Sequence, residues 1–201
     1  MGHCTVEDGS ALTGVTAVLP SPGNVFAAKL PAAAVVLNGY GKSTGLIQIE
    51  ELGLLESPIL HTNTLNVGLV SDALVDWTIR VCVRDGIDVT SFNPAVCECN
   101  DSYLSDIRLR AVKGPHVLRA IGDAREDFEE GDVGAGKGMS CHGLKGGIGS
   151  ASRTVGRDGH VRESLRTCLQ DVWAHPFDVR NRSRHTVRPW NPTSNGGAST
   201  T

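Results

Sequence analysis

The amino-acid sequence predicts an α+β or layered α/β fold, and three observations support this prediction. Short apolar, partly β-branched runs of strand length are the most frequent pattern in the chain. Two longer segments have the apolar spacing of amphipathic helices, and glycine-rich stretches connect the remaining elements. The 201 residues are enough for one domain, whose core must be aliphatic because only 4% of the residues are aromatic.

Five segments are predicted as strands. Residues 13–19 and 31–37 are apolar runs separated by proline and glycine, and residues 57–60 and 95–99 are shorter runs of the same kind. Residues 45–50 alternate apolar and polar side chains, which is typical of a strand with one buried face.

Two segments are predicted as helices. Residues 67–81 carry apolar side chains at helical spacing, and Ser71 or Asp72 could stabilise the N-terminus. Residues 115–130 begin with Pro115, which suits the first helical turn, and they have a continuous apolar face.

The most informative segment is the glycine-rich stretch at residues 131–153. Apolar, cationic and small polar residues separate its glycines in a non-repeating order, which is unlike a low-complexity linker. Glycine serves where the backbone needs a positive φ or where another group must approach closely. We therefore expect this backbone to wrap around a ligand or a neighbouring strand. Lys137 and Lys145 could bind an anion there, although solvated lysines are the more frequent case.

Composition and charge argue against several classes of function. The formal charge of −3 argues against general affinity for nucleic acid, and no apolar run approaches the roughly 20 residues that span a bilayer. The N-terminal residues lack the basic and then apolar order of a signal peptide, so we expect a cytoplasmic protein. The six cysteines match neither a disulfide scaffold nor a zinc spacing, which predicts buried thiols and no metal site.

Two segments come close to a phosphate-binding loop. Residues 38–44, NGYGKST, end like such a loop, but Val36 stands where its first glycine belongs. Residues 131–137 have the glycine spacing, but Gly138 replaces the hydroxyl that would bind magnesium. Neither segment is followed by a convincing helix, so an NTPase is the least favoured function.

Two polar stretches follow predicted strands. Residues 61–68, HTNTLNVG, lead into a helix, where turn and capping chemistry is the favoured interpretation and a site the alternative. Residues 98–106, ECNDSYLSD, combine a carboxylate, an amide and a phenol. A carboxylate there could hold a substrate ammonium and Tyr103 could donate to an oxyanion, unless the stretch is an ordinary polar loop.

Six stretches in order resemble one family, the DmpA-type aminopeptidases, also called L-aminopeptidase/D-esterases or β-peptidyl aminopeptidases (peptidase family S58). They cover about residues 2–153 and read GHCTVEDG, TGVTAVLP, NGYGKSTGLIQIEE, SPILHTNTLNVG with SDALVDW, VCECNDSYLSDI and EGDVGAGKGMSCHGLKGGIGSASR. The resemblance implies a four-layer αββα sandwich and a precursor that cuts itself, so that a new N-terminal serine becomes the nucleophile. It implies small peptide, amide or ester substrates with a free N-terminal residue, including D- and β-amino acids. It implies no metal or organic cofactor, and a homo-oligomer when the protein is complete.

The resemblance also implies site residues. Tyr103 is similar to the family tyrosine that faces the nucleophile, and Glu98 is similar to a carboxylate that binds the substrate ammonium. The residues expected to border the substrate pocket are Asn63, Gly134, Gly136 and Gly138.

The chain departs from the family pattern after Arg153. Residues 153–201 contain 8 Arg, no Lys and 4 acidic residues, and no segment there matches the family's oxyanion strand, cleavage point or nucleophilic serine. The start also looks clipped. We therefore expect residues 1–153 to be the N-terminal part of the aminopeptidase domain, and residues 154–201 to be a disordered or out-of-frame tail. The sandwich would then be incomplete and the chain inactive. The alternative is a non-catalytic protein that binds an anion with the glycine-rich loop and a partner with the basic tail.

Overall fold

The computed structural model describes residues 1–36, 40–141, 143–157 and 160–169, with the backbone alone for residues 152–157 and 160–169. In chain order the strands are β1 (Gly2–Asp8), β2 (Ala11–Val18), β3 (Leu30–Pro31), β4 (Leu54–Leu55), β5 (Ile59–Asn63), β6 (Ala95–Cys99), β7 (Ser140–Cys141), β8 (Leu144–Lys145), β9 (Ile148–Arg157) and β10 (His160–Leu169). The helices are α1 (Leu46–Leu52), α2 (Val67–Arg84) and α3 (Gly114–Gly122), with 3₁₀ turns at Ile107–Leu109 and Gly134–Gly136.

A mixed sheet of four strands, in the order β1-β2-β5-β6, forms the centre of the described structure. β1 and β2 form an antiparallel hairpin that pairs Asp8 with Ala11, and Gly9 in its turn has a φ of 55°. β2 and β5 are antiparallel, whereas β5 and β6 are parallel and are joined through α2. A parallel pair needs a long crossover connection, and α2 supplies it.

The main core lies between this sheet and helices α2 and α3. All four strands of the sheet contribute side chains to it, and it is mostly aliphatic, as the composition predicted. Its buried members are Cys4, Val15, Ala17, Leu60, Val67, Val70, Leu74, Val96, Val112, Val117, Ala120 and Ile121.

The glycine-rich segment covers the opposite face of the sheet. Val18 of β2 has the opposite orientation to Ala17 and packs with Ala135 and Ile148 in a second buried cluster. A Cβ on Gly14 of β2 would lie 2.4 Å from the carbonyl oxygen of Gly134, so only glycine permits this approach. This confirms the expectation that the backbone wraps around a neighbouring strand.

The strand predicted at residues 45–50 is wrong, because this segment forms helix α1. Gly45 and Gly53 flank the helix in left-handed conformations, with φ of 77° and 66°. Leu46 and Ile49 pack into a third cluster beneath the helix, while Ile47 is 85% exposed. The apparent alternation came from Ile47 and Ile49, but Ile47 is exposed, and the inward pair Leu46 and Ile49 has the three-residue spacing of a helix.

Three of the other predicted strands are confirmed. Residues 13–19, 57–60 and 95–99 correspond to β2, β5 and β6. The strand predicted at residues 31–37 is largely wrong, because β3 ends at Pro31, residues 32–36 have no regular structure and residue 37 lies outside the described part.

Both predicted helices exist, but their ends differ from the prediction. The first is α2, which begins at Val67 as predicted and continues to Arg84, three residues beyond the predicted end; its N-cap residue is Asn66 and not Ser71 or Asp72. The second is α3, which ends at Gly122, eight residues before the predicted end. Glycine has low helix propensity, and this one closes the helix although the apolar spacing continues beyond it.

The backbone continues as a hairpin beyond Arg153. β9 and β10 pair antiparallel, with Arg157 opposite His160 and Ile148 opposite Leu169. Residues 154–157 and 160–169 therefore lie in strands, while the rest of the predicted tail lies outside the described residues. The domain boundary at residue 153 stays a prediction.

Candidate functional site

The strand ends of β5 and β6 lie side by side, and two predicted site residues, Asn63 and Glu98, stand at adjacent register positions on them. Because the strands are parallel, their carboxyl ends share one edge of the sheet, where Thr62 pairs with Glu98 and Asn63 with Cys99. The Thr64 N–H donates to the Cys99 carbonyl at 3.0 Å and extends this contact beyond β5. Such an edge of an α/β sheet is a frequent place for ligand binding.

Asn63 is buried and its amide group is used within the protein. Its Nδ2 donates to Thr13 Oγ1 at 2.9 Å, and its Oδ1 accepts from Asn66 Nδ2 at 2.9 Å and from the Asn66 N–H at 3.1 Å. These bonds fix the turn from β5 into α2, which is the turn chemistry favoured for this stretch, although the N-cap residue Asn66 makes no side-chain capping hydrogen bond. The substrate-binding role of Asn63 stays a prediction.

Glu98 is half-buried on β6 and is held by one hydrogen bond. Its Oε1 accepts the backbone N–H of Lys42 at 2.9 Å. Within the described part of the chain, Oε2 has no hydrogen-bond partner. The carboxylate therefore has one fixed oxygen and one oxygen available to a cation.

Tyr103 lies on a tight turn four residues beyond the end of β6. The Ser102 N–H donates to Asn100 Oδ1 at 2.9 Å, and the Leu104 and Ser105 N–H groups donate to the Asp101 carbonyl at 3.1 and 3.0 Å. The Tyr103 side chain is 62% exposed, so the turn presents the phenol to solvent.

Two surface depressions meet at Tyr103. One is open, measures about 420 Å³ and is lined by Gly9, Ser10, Leu12, Ser102, Tyr103, Leu104, Ser105 and Asp106. The other is a small crevice lined by Tyr103, Leu104, Ser140, Gly143, Leu144 and Lys145. The phenol thus stands between the β1–β2 turn and the later part of the glycine-rich segment.

The predicted pocket glycines divide into two groups. Gly134 and Gly136 pack over the sheet, where the Gly134 N–H donates to Thr5 Oγ1 at 2.8 Å and the Gly136 N–H to the Val133 carbonyl at 2.8 Å. Gly138 lies beside the Tyr103 turn, because a Cβ there would be 2.8 Å from the Cβ of Asp101. The N–H groups of Gly134 and Gly136 thus serve the fold, and their roles as substrate-binding residues stay predictions.

The two lysines of this segment are paired with acidic groups. Lys137 Nζ lies 3.0 Å from Glu7 Oε2 and 3.1 Å from Asp132 Oδ2, and these partners raise the pKa of Lys137. Lys145 Nζ lies 2.9 Å from Asp132 Oδ1 and donates to the Gly136 carbonyl at 2.9 Å. The interpretation as simply solvated lysines is wrong, and this geometry gives anion binding no support.

A polar row crosses the sheet on the face covered by the glycine-rich segment. The strand registers align His3 with Thr16, Thr16 with His61, and His61 with Cys97. Burial lowers the pKa of His61 to about 4, and burial with the neighbouring Glu98 charge raises the pKa of Cys97 to about 11. Both side chains are therefore uncharged at neutral pH.

Sequence reasoning missed this row and the buried carboxyl group of Asp101. His3 belongs to the row through its side chain, because its Nδ1 lies 3.0 Å from Thr16 Oγ1. Asp101 is fully buried between the Tyr103 turn and Gly138. Strand alternation alone could have placed His61 and Cys97 inward, but the register that joins them is a tertiary property.

The described residues contain neither a cluster that could bind a metal ion nor a helix that could span a membrane. Among them no group of three or more His, Cys, Asp or Glu side chains is arranged to hold a metal ion. Nor does that part of the chain contain a helix with the length and apolar character that crossing a bilayer requires.

Most of the chain is similar in sequence to known proteins. Residues 1–164 match the model of peptidase family S58. The beta-peptidyl aminopeptidase BapA of Sphingosinicella microcystinivorans is 43% identical over 152 residues, which are 75% of this chain and 37% of that protein. The match to the family model extends past the boundary predicted at residue 153.

Solved structures show the same relationship. The PH0078 protein of Pyrococcus horikoshii OT3 has a TM-score of 0.74 and 48% identity, covering 83% of this chain and 50% of that one. The L-aminopeptidase D-Ala-esterase/amidase of Ochrobactrum anthropi, a prototype for the serine aminopeptidases with a variant of the Ntn hydrolase fold, has a TM-score of 0.57. It is 29% identical and matches over 76% of this chain and 39% of that one. The α+β class is therefore confirmed, and the chain spans half or less of the length of each of these proteins.

Proposed function

Because the chain belongs to peptidase family S58, we propose that it forms the amine-recognition side of a serine-type aminopeptidase site. The proposed reaction releases an N-terminal residue, including a D- or β-amino acid, from a small peptide, amide or ester. The names of the relatives, a beta-peptidyl aminopeptidase and an L-aminopeptidase D-Ala-esterase/amidase, support this substrate class.

The observation that carries this proposal is the placement of Glu98. An aminopeptidase must recognise a free ammonium group, and a fixed carboxylate is the side chain that does so by a charge-assisted hydrogen bond. Glu98 is half-buried, and the Lys42 N–H orients it through one oxygen. Partial burial strengthens its attraction for a cation, because solvent screens the charge less.

Tyr103 is proposed to act on the reacting carbonyl. Its phenol is exposed at the meeting point of the two depressions and follows Glu98 by five positions. A phenolic O–H can donate to the oxygen that becomes negative when a nucleophile attacks an acyl group. The short turn between Glu98 and Tyr103 would set the spacing between the substrate ammonium and its scissile carbonyl.

The rest of the catalytic machinery is part of the same proposal. The nucleophile would be a serine freed by self-cleavage, whose own α-amine or a neighbouring group acts as base. The sheet described above, with helices on one face and the glycine-rich segment on the other, would form half of a four-layer αββα sandwich. A cytoplasmic location and a homo-oligomeric assembly of the complete protein remain expectations.

The test is binding of a small amine to the 201-residue chain. Titration with β-alaninamide, followed by isothermal calorimetry or NMR, should give saturable binding that N-acetyl-β-alaninamide does not show. The variant Glu98→Gln keeps the size of the side chain and removes its charge. It should weaken binding about tenfold or more, since hydrogen bonds to charged groups contribute about 1.5–3 kcal/mol.

Glu51→Gln is the matched control, because Glu51 is an exposed carboxylate on α1. It should leave the dissociation constant within about twofold of the original value. Equal binding of the free and the acetylated amide, or equal binding by the Glu98→Gln variant, would contradict the proposed role.

A further inference from the structure

The motif NGYGKST, which resembles a phosphate-binding loop in sequence, has a different use in the structure. Its last residue, Thr44, pairs with Val96 along the edge of β6 that faces away from β5. The Thr44 N–H donates to the Val96 carbonyl at 2.9 Å, and the Val96 N–H donates back to the Thr44 carbonyl at 3.3 Å. The segment therefore runs antiparallel to β6.

Two further contacts hold this segment against β6. Thr44 Oγ1 donates to the Pro94 carbonyl at 3.0 Å. Gly45 has a φ of 77°, and a Cβ on it would lie 2.6 Å from the same Pro94 oxygen. A residue with a side chain would both be strained and collide there, so the sequence Thr-Gly fits this attachment. We call residues 42–45 the edge clamp.

The register of the edge clamp places Lys42 opposite Glu98. In an antiparallel pair, a step of two residues back along one strand matches a step of two forward along the other. From the Thr44–Val96 pair this step leads to Lys42 and Glu98. The Lys42 N–H then donates to the Glu98 carboxylate at 2.9 Å.

The side chain of Lys42 does not take part in this bond. Its Nζ donates to the Tyr40 carbonyl at 3.4 Å and lies 5.1 Å from the centroid of the Tyr40 ring. Within the described residues, no ion pair joins Lys42 to Glu98. The charge of the carboxylate is therefore oriented by a neutral donor and stays available for a cationic ligand.

We propose that Thr44 is a positioning residue for substrate recognition. It holds the edge clamp so that the Lys42 N–H fixes one oxygen of Glu98 and directs the other toward the substrate ammonium. This inference rests on the proposed function, because it assigns to Thr44 the alignment of the group that binds the amine. A carboxylate without this constraint would sample several rotamers, and each would have to be restricted again on binding.

The test separates the hydroxyl group of Thr44 from its size. Thr44→Val keeps the branched shape and removes the hydroxyl, whereas Thr44→Ser keeps the hydroxyl. The valine variant should weaken β-alaninamide binding about fivefold, and the serine variant should restore most of it. Glu51→Gln, the exposed control on α1, should bind as the original chain does.

A second readout does not depend on ligand. The backbone amide proton of Lys42 should have a downfield NMR chemical shift, because it donates a hydrogen bond to the Glu98 carboxylate. This downfield shift should shrink in Glu98→Gln and in Thr44→Val, and it should remain in Thr44→Ser. An amide response that persists in full in Thr44→Val overturns the positioning role.

The outcomes distinguish this inference from the proposed function. If Glu98→Gln abolishes amine binding while Thr44→Val leaves both binding and the amide response unchanged, the role of Thr44 is wrong and the proposed function stands. If the original chain binds no amine, the proposed function fails, and the role of Thr44 in recognition fails with it. Loss of binding in Thr44→Val with recovery in Thr44→Ser supports both.

Discussion

Gly138 has no side chain, and this lets the glycine-rich segment pack closely against Leu12 of β2 and against Asp101 beside the Tyr103 turn. A Cβ at this position would lie 2.0 Å from the Leu12 carbonyl oxygen and 2.8 Å from the Cβ of Asp101. We expect Gly138→Ala to destabilise the protein by about 1–3 kcal/mol, because the surrounding backbone must shift. Chemical denaturation would measure this. The control is Gly68→Ala, where nothing lies within 4 Å, and which should be neutral or slightly stabilising.

His61 makes the stability of the fold depend on pH. Burial lowers its pKa to about 4, whereas an unfolded histidine has a pKa of about 6.5. As the pH falls from about 6.5 to about 4, the unfolded chain binds a proton that the folded chain does not. The folded state therefore loses stability across this window, by about 3 kcal/mol from this residue alone.

Urea unfolding between pH 4 and 7.5 tests the His61 prediction. The variant His61→Gln should show a smaller loss of stability across that range, even if its stability at neutral pH is lower. His3 remains in the variant and, because its pKa is also lowered chiefly by burial, it should retain part of the pH dependence. An unchanged slope in the variant would show that His61 titrates normally in the folded protein.

At the scale of elements, one buried carboxylate joins the segments that precede β5 and β6. Glu56 forms a salt bridge with Lys29, and its Oε1 accepts from the Asn93 N–H at 2.7 Å and from Asn93 Nδ2 at 3.0 Å. Burial alone would raise the pKa of Glu56, but the hydrogen bonds from Lys29 and Asn93 outweigh burial and lower it. Its stabilising effect is therefore present above pH about 4.5 and is lost as the pH falls through the lowered pKa.

Glu56→Gln should destabilise the fold by about 1–3 kcal/mol at neutral pH, because the Lys29 ammonium loses its charged partner. Thermal unfolding would measure the effect, with the exposed Glu51→Gln as the control. The difference in melting temperature between Glu56→Gln and the original chain should become smaller below pH 4. A variant as stable as the original at pH 7 would count against this role.

Which elements the sequence could predict depended on how their burial is organised. β2 and β5 are the inner strands of the sheet and β6 pairs with β5, so their apolar and β-branched residues follow one another and indicate strands directly. The seven-residue helix α1 buries a few side chains against a local cluster, and its sequence is too short to separate a period of two from a period of 3.6. Its two ends depend on left-handed glycines, which composition alone does not locate.

At the scale of the whole molecule, we expect the 201-residue chain to lack hydrolytic activity. This expectation rests on the family resemblance, by which residues 154–201 supply neither the cleavage point nor the nucleophilic serine. Incubation with β-alanine p-nitroanilide should release no p-nitroaniline above background, while a beta-peptidyl aminopeptidase serves as the positive control. If the purified chain catalyses hydrolysis and Glu98→Gln abolishes it, these 201 residues contain a nucleophile and the expectation is wrong.

The amino-acid sequence predicted the family, the α+β class, three strands of the central sheet and the presence of two helices. It did so because ordered motifs and apolar periodicity are local properties of the chain. It also identified Glu98 and Tyr103 as candidate residues from the stretch that contains both. The alternative use of residues 38–44 as a nucleotide loop rested on a motif that lacked its first glycine.

The contacts that those residues make follow from the tertiary structure. The parallel pairing of β5 and β6 aligned Glu98 with Thr62, and the antiparallel pairing of Thr44 with Val96 brought the Lys42 N–H to Glu98. These contacts join positions more than 30 residues apart, and their register depends on which strands become neighbours. A hydrogen bond between distant segments does not change the periodicity of either sequence, so it can be identified only from the folded structure.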